Sequence, residues 1–120
     1  MIEIILFTLF LYFLQLLLPV TLKSKMTEEM IQRSRRATEN LKESLPAFLA
    51  LAILSISLGV QANIEAAFYW LILRVIFAAI YISGFNLKPK NASGRQAQPL
   101  RSLVWALSIV ALFNMGFNFI

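Results

Sequence analysis

Four long apolar stretches dominate this 120-residue chain, and each is weighed against the roughly 20 residues that a helix needs to cross about 30 Å of hydrocarbon. The first (Ile2 to Leu22), the third (Ile64 to Phe85) and the fourth (Leu100 to Ile120) are long enough. The second, Leu45 to Val60, is short at about 1.5 Å per residue. The stretch before it, Thr27 to Ser44, has no Gly or Pro and is rich in helix formers. The sequence therefore predicts one long helix from Thr27 to Val60. Thr27 is its N-cap, and Glu28 and Glu29 follow where the helix dipole favours negative charge. Its polar first half projects from the membrane, and Pro46 at the junction predicts a kink.

Composition agrees with a bilayer as solvent. The chain is 59% hydrophobic and only 14% charged, more apolar side chain than a water-soluble core of this size hides. The expected fold is all-α: a single integral membrane domain, residues 1–120, with four transmembrane helices at about 2–22, 27–60, 64–85 and 99–120. The first stretch lacks the basic start and small-residue cleavage pattern of a removable signal peptide and reads as a retained helix. Lys23 to Met26 is a short basic link and Gln61 to Asn63 a tight turn. Asn86 to Gln98 is a longer polar loop with Pro89, Ser93 and Gly94, and Pro99 suits the first turn of the last helix.

Net charge of +5 raises the question of nucleic acid. The charges interrupt apolar runs rather than line a polar face, so no nucleic-acid partner is expected and the charges read as orientation in a membrane. Lys23, Lys25, Arg33, Arg35, Arg36 and Lys42 belong to the first connection and the polar half of the second helix, while Lys88, Lys90, Arg95 and Arg101 belong to the third connection. The other side carries only Glu3 and Glu65. The positive-inside rule places both basic connections in the cytoplasm and both termini outside it. The chain has no Cys and no His, which removes disulfides, thiolate nucleophiles, zinc sites and imidazole acid/base chemistry. No metal site is expected, and any nucleophile or redox group comes with a ligand.

Charges at membrane depth are costly, about 2.5 to 3.5 kcal/mol each on insertion scales, and usually face a cavity or a partner. At about 100° per residue, Arg33, Arg36, Asn40 and Glu43 fall at roughly 0°, 300°, 340° and 280°, one polar stripe down the second helix. Arg74, Phe77 and Tyr81 fall at roughly 0°, 300° and 340° on the third. Arg101 and Ser102 open the fourth. A purely structural reading of the same residues makes the arginines interfacial anchors and pairs Glu43 with Arg74 to hold helices together.

The string from Arg33 through Phe48 resembles the signature of the membrane-associated proteins in eicosanoid and glutathione metabolism, the MAPEG family. Arg36-Ala37, Asn40, Glu43 and Pro46 carry the spacing, supported by Arg74 through Tyr81 and by Pro99-Leu-Arg-Ser102 leading to Trp105. The resemblance covers the whole chain and is nearest to the short bacterial members, which implies a bacterial inner membrane. It implies a homotrimer with glutathione as co-substrate, bound in clefts between neighbouring subunits near the cytoplasmic face. Arg36, Asn40 and Glu43 would bind glutathione, with Arg33, Arg74 and Tyr81 as supporting contacts. Arg101 and Ser102 would be the catalytic pair beside the sulfur, with a lipophilic small-molecule substrate arriving from membrane lipid. Phe77, Ser44 and Trp105 depart from residues found in some relatives. Asn86 to Gln98 must loop out for Arg101 to reach the family position.

Three function classes follow. The first is a glutathione transferase or peroxidase acting on lipophilic electrophiles or hydroperoxides by thiolate activation. The second is a non-catalytic lipid-binding or scaffold member of the same family. The third is a small multidrug transporter, which depends on a carboxylate within the membrane. Against it, Glu3 sits at the extreme end of its helix and Glu43 lies among arginines.

Overall fold

A computed structural model of the chain describes residues 1–94 and 96–120; Arg95, one of the basic residues of the third connection, lies outside the described residues. Four helices follow one another: α1 (Ile2–Thr21), α2 (Glu28–Leu58), α3 (Ala62–Ser83) and α4 (Pro99–Phe117), with a 3₁₀ turn at Lys23–Lys25 after α1. All four are long and apolar enough to cross a membrane, and there is no strand among the described residues. The chain is an all-helical, multi-pass integral membrane protein, the fold class its hydrophobicity predicted.

Local chemistry explains where α2 starts and stops. The Thr27 hydroxyl accepts the Met30 N–H at 3.2 Å, one of the donors a helix start leaves free. Gly59 ends the helix at φ 65°, a left-handed conformation that suits glycine. The Val60 N–H then returns to the Ser55 carbonyl at 2.9 Å. The turn into α3 is accordingly made at 59–61, earlier than the Gln61 to Asn63 turn read from the sequence. With 31 residues α2 is about 46 Å long, which matches the 47 Å longest dimension of the molecule. It exceeds the hydrocarbon by several turns.

Both interior prolines lack the N–H that the carbonyl four residues earlier would accept, and a bond from the next helix replaces it at Pro19. α2 runs through Pro46 as a continuous helix. In α1, Pro19 has no N–H to offer the Gln15 carbonyl. The Thr38 hydroxyl of α2 donates to it at 3.2 Å, while also facing the Ser34 carbonyl at 2.9 Å. A break in one helix thus becomes a cross-link to the next.

The helices pack as a flattened array, 31 Å by 17 Å in cross-section. α2 and α3 lie in the middle, and α4 packs most extensively on α3. The rings of Phe48 and Trp70 stack at 4.0 Å and 7° in the centre of the core. Buried Ala52, Ala66 and Ala67 let the backbones approach. At the end remote from the basic residues, the buried Asn63 amide donates to Ser55 Oγ at 2.8 Å and to the Met115 carbonyl at 3.1 Å. Its Oδ1 accepts from Asn118 at 2.7 Å. α2, α3 and α4 are pinned there by hydrogen bonds, and at the opposite end they meet around charge. Phe7, Phe10, Phe13 and Phe113 are exposed on the periphery, where lipid replaces water.

Candidate functional site

The basic end is built around the C-terminus of α3. Gly84 caps that helix at φ 75°, its N–H donating to the Ile80 carbonyl at 3.1 Å. Arg33 reaches across from α2, and its Nε donates to the Ile82 carbonyl at 3.3 Å. A cation at a helix C-terminus is favoured by the dipole. Glycine is required twice over at position 84, since a Cβ would lie 3.2 Å from Arg33 Nη2 and 3.3 Å from its Cζ. Gly84→Ala should therefore displace the guanidinium and destabilise the protein by about 1 to 2 kcal/mol, read as a lower unfolding temperature in detergent. An unchanged transition would mean that neither the cap nor the Arg33 contact holds α2 against α3.

Gln98 brings α4 to the same place. It is buried, and its amide nitrogen donates to the Ile80 carbonyl at 2.7 Å and the Phe85 carbonyl at 2.8 Å. The Lys88 N–H donates to the Ala97 carbonyl at 2.8 Å, closing the neck of the loop. α4 begins one residue after Gln98, and the Arg101 guanidinium lies 4.5 Å from the centre of the Tyr81 ring.

Tyr81 is one step in a ladder of rings and cations. Arg74 lies 4.5 Å over Phe77, Phe77 meets Tyr81 edge-on at 5.5 Å and 88°, and Tyr81 carries Arg101. Each cation–π contact contributes about 0.5 to 2 kcal/mol, more where water is excluded. Phe77 serves as the aromatic face for Arg74.

Two adjoining cavities share Tyr81 and Arg101. One, of about 560 Å³, is lined by Arg33, Arg36, Tyr81 and Arg101, with Glu29 and Lys90 at its edge with the loop. The other, about 380 Å³, is lined by Asn40, Phe77, Tyr81, Arg101, Ser102 and Trp105. One chain by itself thus brings α2, α3 and α4 together around a strongly cationic space and a second, more aromatic one.

Six of the eight candidate site residues line one cavity or the other. Arg74 does not. It is 1% exposed, and its Nη2 donates to Asn40 Oδ1 at 2.8 Å, while Nε and Nη1 have no partner among the described residues. Glu43 is exposed, lines neither cavity and forms no ion pair among the described residues. The Glu43–Arg74 pair of the structural reading is therefore not formed. Asn40, one turn nearer the basic end of the same stripe, takes the guanidinium instead.

Four contributors escape the sequence reading. Glu29 suits the helix dipole, and its spacing to Arg33 and Arg36 also continues the polar stripe. Gly84 ends α3 two residues before the Phe85 limit of the apolar stretch, and a glycine after an apolar run is a stop signal. Gln98 and Lys90 carry no local signal, since the one acts through bonds to α3 and its end and the other only lines a cavity formed by the fold.

A family model described as the MAPEG family matches residues 4–120. No curated protein and no solved structure matches the chain.

Proposed function

The chain belongs to the MAPEG family, and from that premise we propose that it is a homotrimeric membrane protein that binds glutathione and turns its thiolate on lipophilic electrophiles or hydroperoxides. One observation carries this: Arg33, Arg36 and Arg101 converge on one cavity that adjoins, through Tyr81 and Arg101, a second cavity containing Phe77, Ser102 and Trp105. Glutathione has two carboxylates and one ammonium, and guanidinium forks match carboxylates in geometry and charge. The tripeptide occupies the cationic cavity from the cytoplasm, and the apolar substrate enters the aromatic one from lipid. Asn40 belongs to the site directly and Arg74 through it, by holding its Oδ1. Glu43, exposed on the same stripe, joins where a neighbouring protomer closes against α2.

The chemistry is thiolate activation. A free thiol has a pKa of about 8.5 and is largely protonated at neutral pH. The Arg101 cation raises the thiolate fraction, and the Ser102 hydroxyl donates a hydrogen bond to the sulfur. In conjugation the sulfur lone pair forms the new carbon–sulfur bond and the leaving group departs with its electron pair. In peroxide reduction two glutathione molecules supply two electrons and two protons, yielding the disulfide, an alcohol and water. Both termini lie outside the cytoplasm of a bacterial inner membrane, which keeps Lys23, Lys25, Lys88 and Lys90 on the cytoplasmic side.

The test is thermal stabilisation of the detergent-purified protein by glutathione. A ligand that binds only the folded form adds about 2.7 kcal/mol at a hundredfold excess over its Kd. Arg36→Ala should lose most of that shift. No stabilisation of the unsubstituted protein at millimolar glutathione would refute the assignment. Stabilisation without product from a broad panel of electrophiles and hydroperoxides would make it the lipid-binding, non-catalytic member.

A further inference from the structure

A furrow of about 560 Å³ between α3 and α4 shares no residue with either cavity of the proposed glutathione site. At about 100° per residue, Leu107, Val110 and Asn114 of its lining fall at roughly 0°, 300° and 340° on α4, whereas Ser102 and Trp105 fall at roughly 220° and 160°. The furrow therefore opens on the flank of α4 away from that site. Two bonds fix the register of the helix pair: Asn63 donates to the Met115 carbonyl at one end, and Gln98 to the Ile80 carbonyl at the other. That register sets Glu65 level with Asn114, Tyr69 with Val110 and Ile72 with Leu107. All six side chains are exposed.

Polarity along the furrow changes once. Glu65 and Asn114 stand in the end turns of α3 and α4, remote from the basic connections. Tyr69, one turn deeper, donates its hydroxyl to Glu65 Oε1 at 3.1 Å. Asn114 Oδ1 accepts from Asn118 at 3.4 Å, which leaves its amide nitrogen to donate elsewhere. Ile72 and Leu107 lie about 10 Å below this polar mouth, at about 1.5 Å per residue. No basic residue lines the furrow, and Glu65 forms no ion pair among the described residues. A carboxylate at the edge of hydrocarbon, with an apolar channel running inward from it, matches an amphiphile with a cationic head. We propose that the furrow binds a zwitterionic phospholipid with a primary ammonium, phosphatidylethanolamine by its chemistry, from the leaflet remote from the basic connections. The ammonium donates to Glu65, the phosphate accepts from the Asn114 amide, and an acyl chain lies along Val110, Ile72 and Leu107. An anionic lipid sets like charge against Glu65, and a choline head has no N–H for the carboxylate to accept.

Native mass spectrometry of the detergent-purified full chain tests this with phosphatidylethanolamine, phosphatidylcholine and phosphatidylglycerol of matched acyl chains, added in equal amounts. The unsubstituted protein should retain phosphatidylethanolamine about fivefold more than phosphatidylcholine, on the scale of one exposed charge pair. Glu65→Gln should remove that preference. Val110→Trp, which fills the furrow beside Tyr69, should lower retention of both. Phosphatidylglycerol, drawn to the basic connections at the other end, should be retained alike by all three proteins. Glu65 and Val110 are exposed, so both variants fold, which an unchanged unfolding temperature without added lipid verifies. Leu107→Trp, one turn deeper, takes the place of Val110→Trp if that variant does not fold. Equal retention of the ethanolamine and choline lipids by the unsubstituted protein overturns the assignment, as does a preference that survives Glu65→Gln. A change of oligomeric mass in Val110→Trp also overturns it, because the furrow is then a contact between copies of the chain.

Discussion

Arg101→Ala should lower the turnover of glutathione with a lipophilic electrophile by about 100-fold at neutral pH, on the scale of losing one charge-stabilising donor at a reacting centre. The guanidinium lines both cavities and rests on Tyr81, so it is the cation nearest to both proposed occupants at once. Its removal strands no buried polar group and costs only the contact with the Tyr81 ring, so the protein should stay folded with a modestly lower unfolding temperature. The pH dependence separates a chemical role from a binding one. Without the cation the bound thiol returns toward its ordinary value of about 8.5, and the variant should recover part of its rate as pH rises from 7 to 9. Undiminished turnover in folded protein would remove Arg101 from the chemistry. A uniform loss across pH with a raised KM would make it a binding residue only.

The largest effect on stability belongs to Asn40. Its Oδ1 is the hydrogen-bond acceptor holding a guanidinium that is 1% exposed and has no acidic partner among the described residues. Asn40→Leu strips that contact and should cost about 3 to 5 kcal/mol, the usual cost of stranding a buried charge. Adding Arg74→Met should return most of it, because a methionine of similar length fills the space beside Phe77 without a charge. Denaturation in detergent of the two single variants and the double variant closes the cycle. If Asn40→Leu and the double variant unfold together, the amide does not support the guanidinium and the ladder from Arg74 to Arg101 stands on ring contacts alone.

Much of the architecture is legible from periodicity. The Thr27 cap needs only a hydroxyl three residues before a free N–H, and the stripe from Arg33 to Asn40 needs only the pitch of a helix. Both are properties of neighbours in the chain. The bond from Thr38 that answers Pro19 is not such a property, because the donor lies 23 residues from the Gln15 carbonyl. The Glu43–Arg74 pair is absent for a related reason. Spacing puts Glu43 on the same face as Asn40, and only the packing of α3 decides which of the two meets Arg74.

Hydrophobic length and helical pitch, written residue by residue, determined the four spans, the projecting start of α2 and the face on which its polar groups lie. The tertiary structure alone decided that Arg74 is held by an amide, that Gln98 and Gly84 bring α4 and Arg33 to the end of α3, and that Glu29 rather than Glu43 lines the cationic cavity. The division has one physical cause. Secondary structure in a bilayer is set by backbone hydrogen bonds that each segment satisfies internally, whereas a cavity is the space left between segments, fixed by crossings and loop closures that no single stretch encodes.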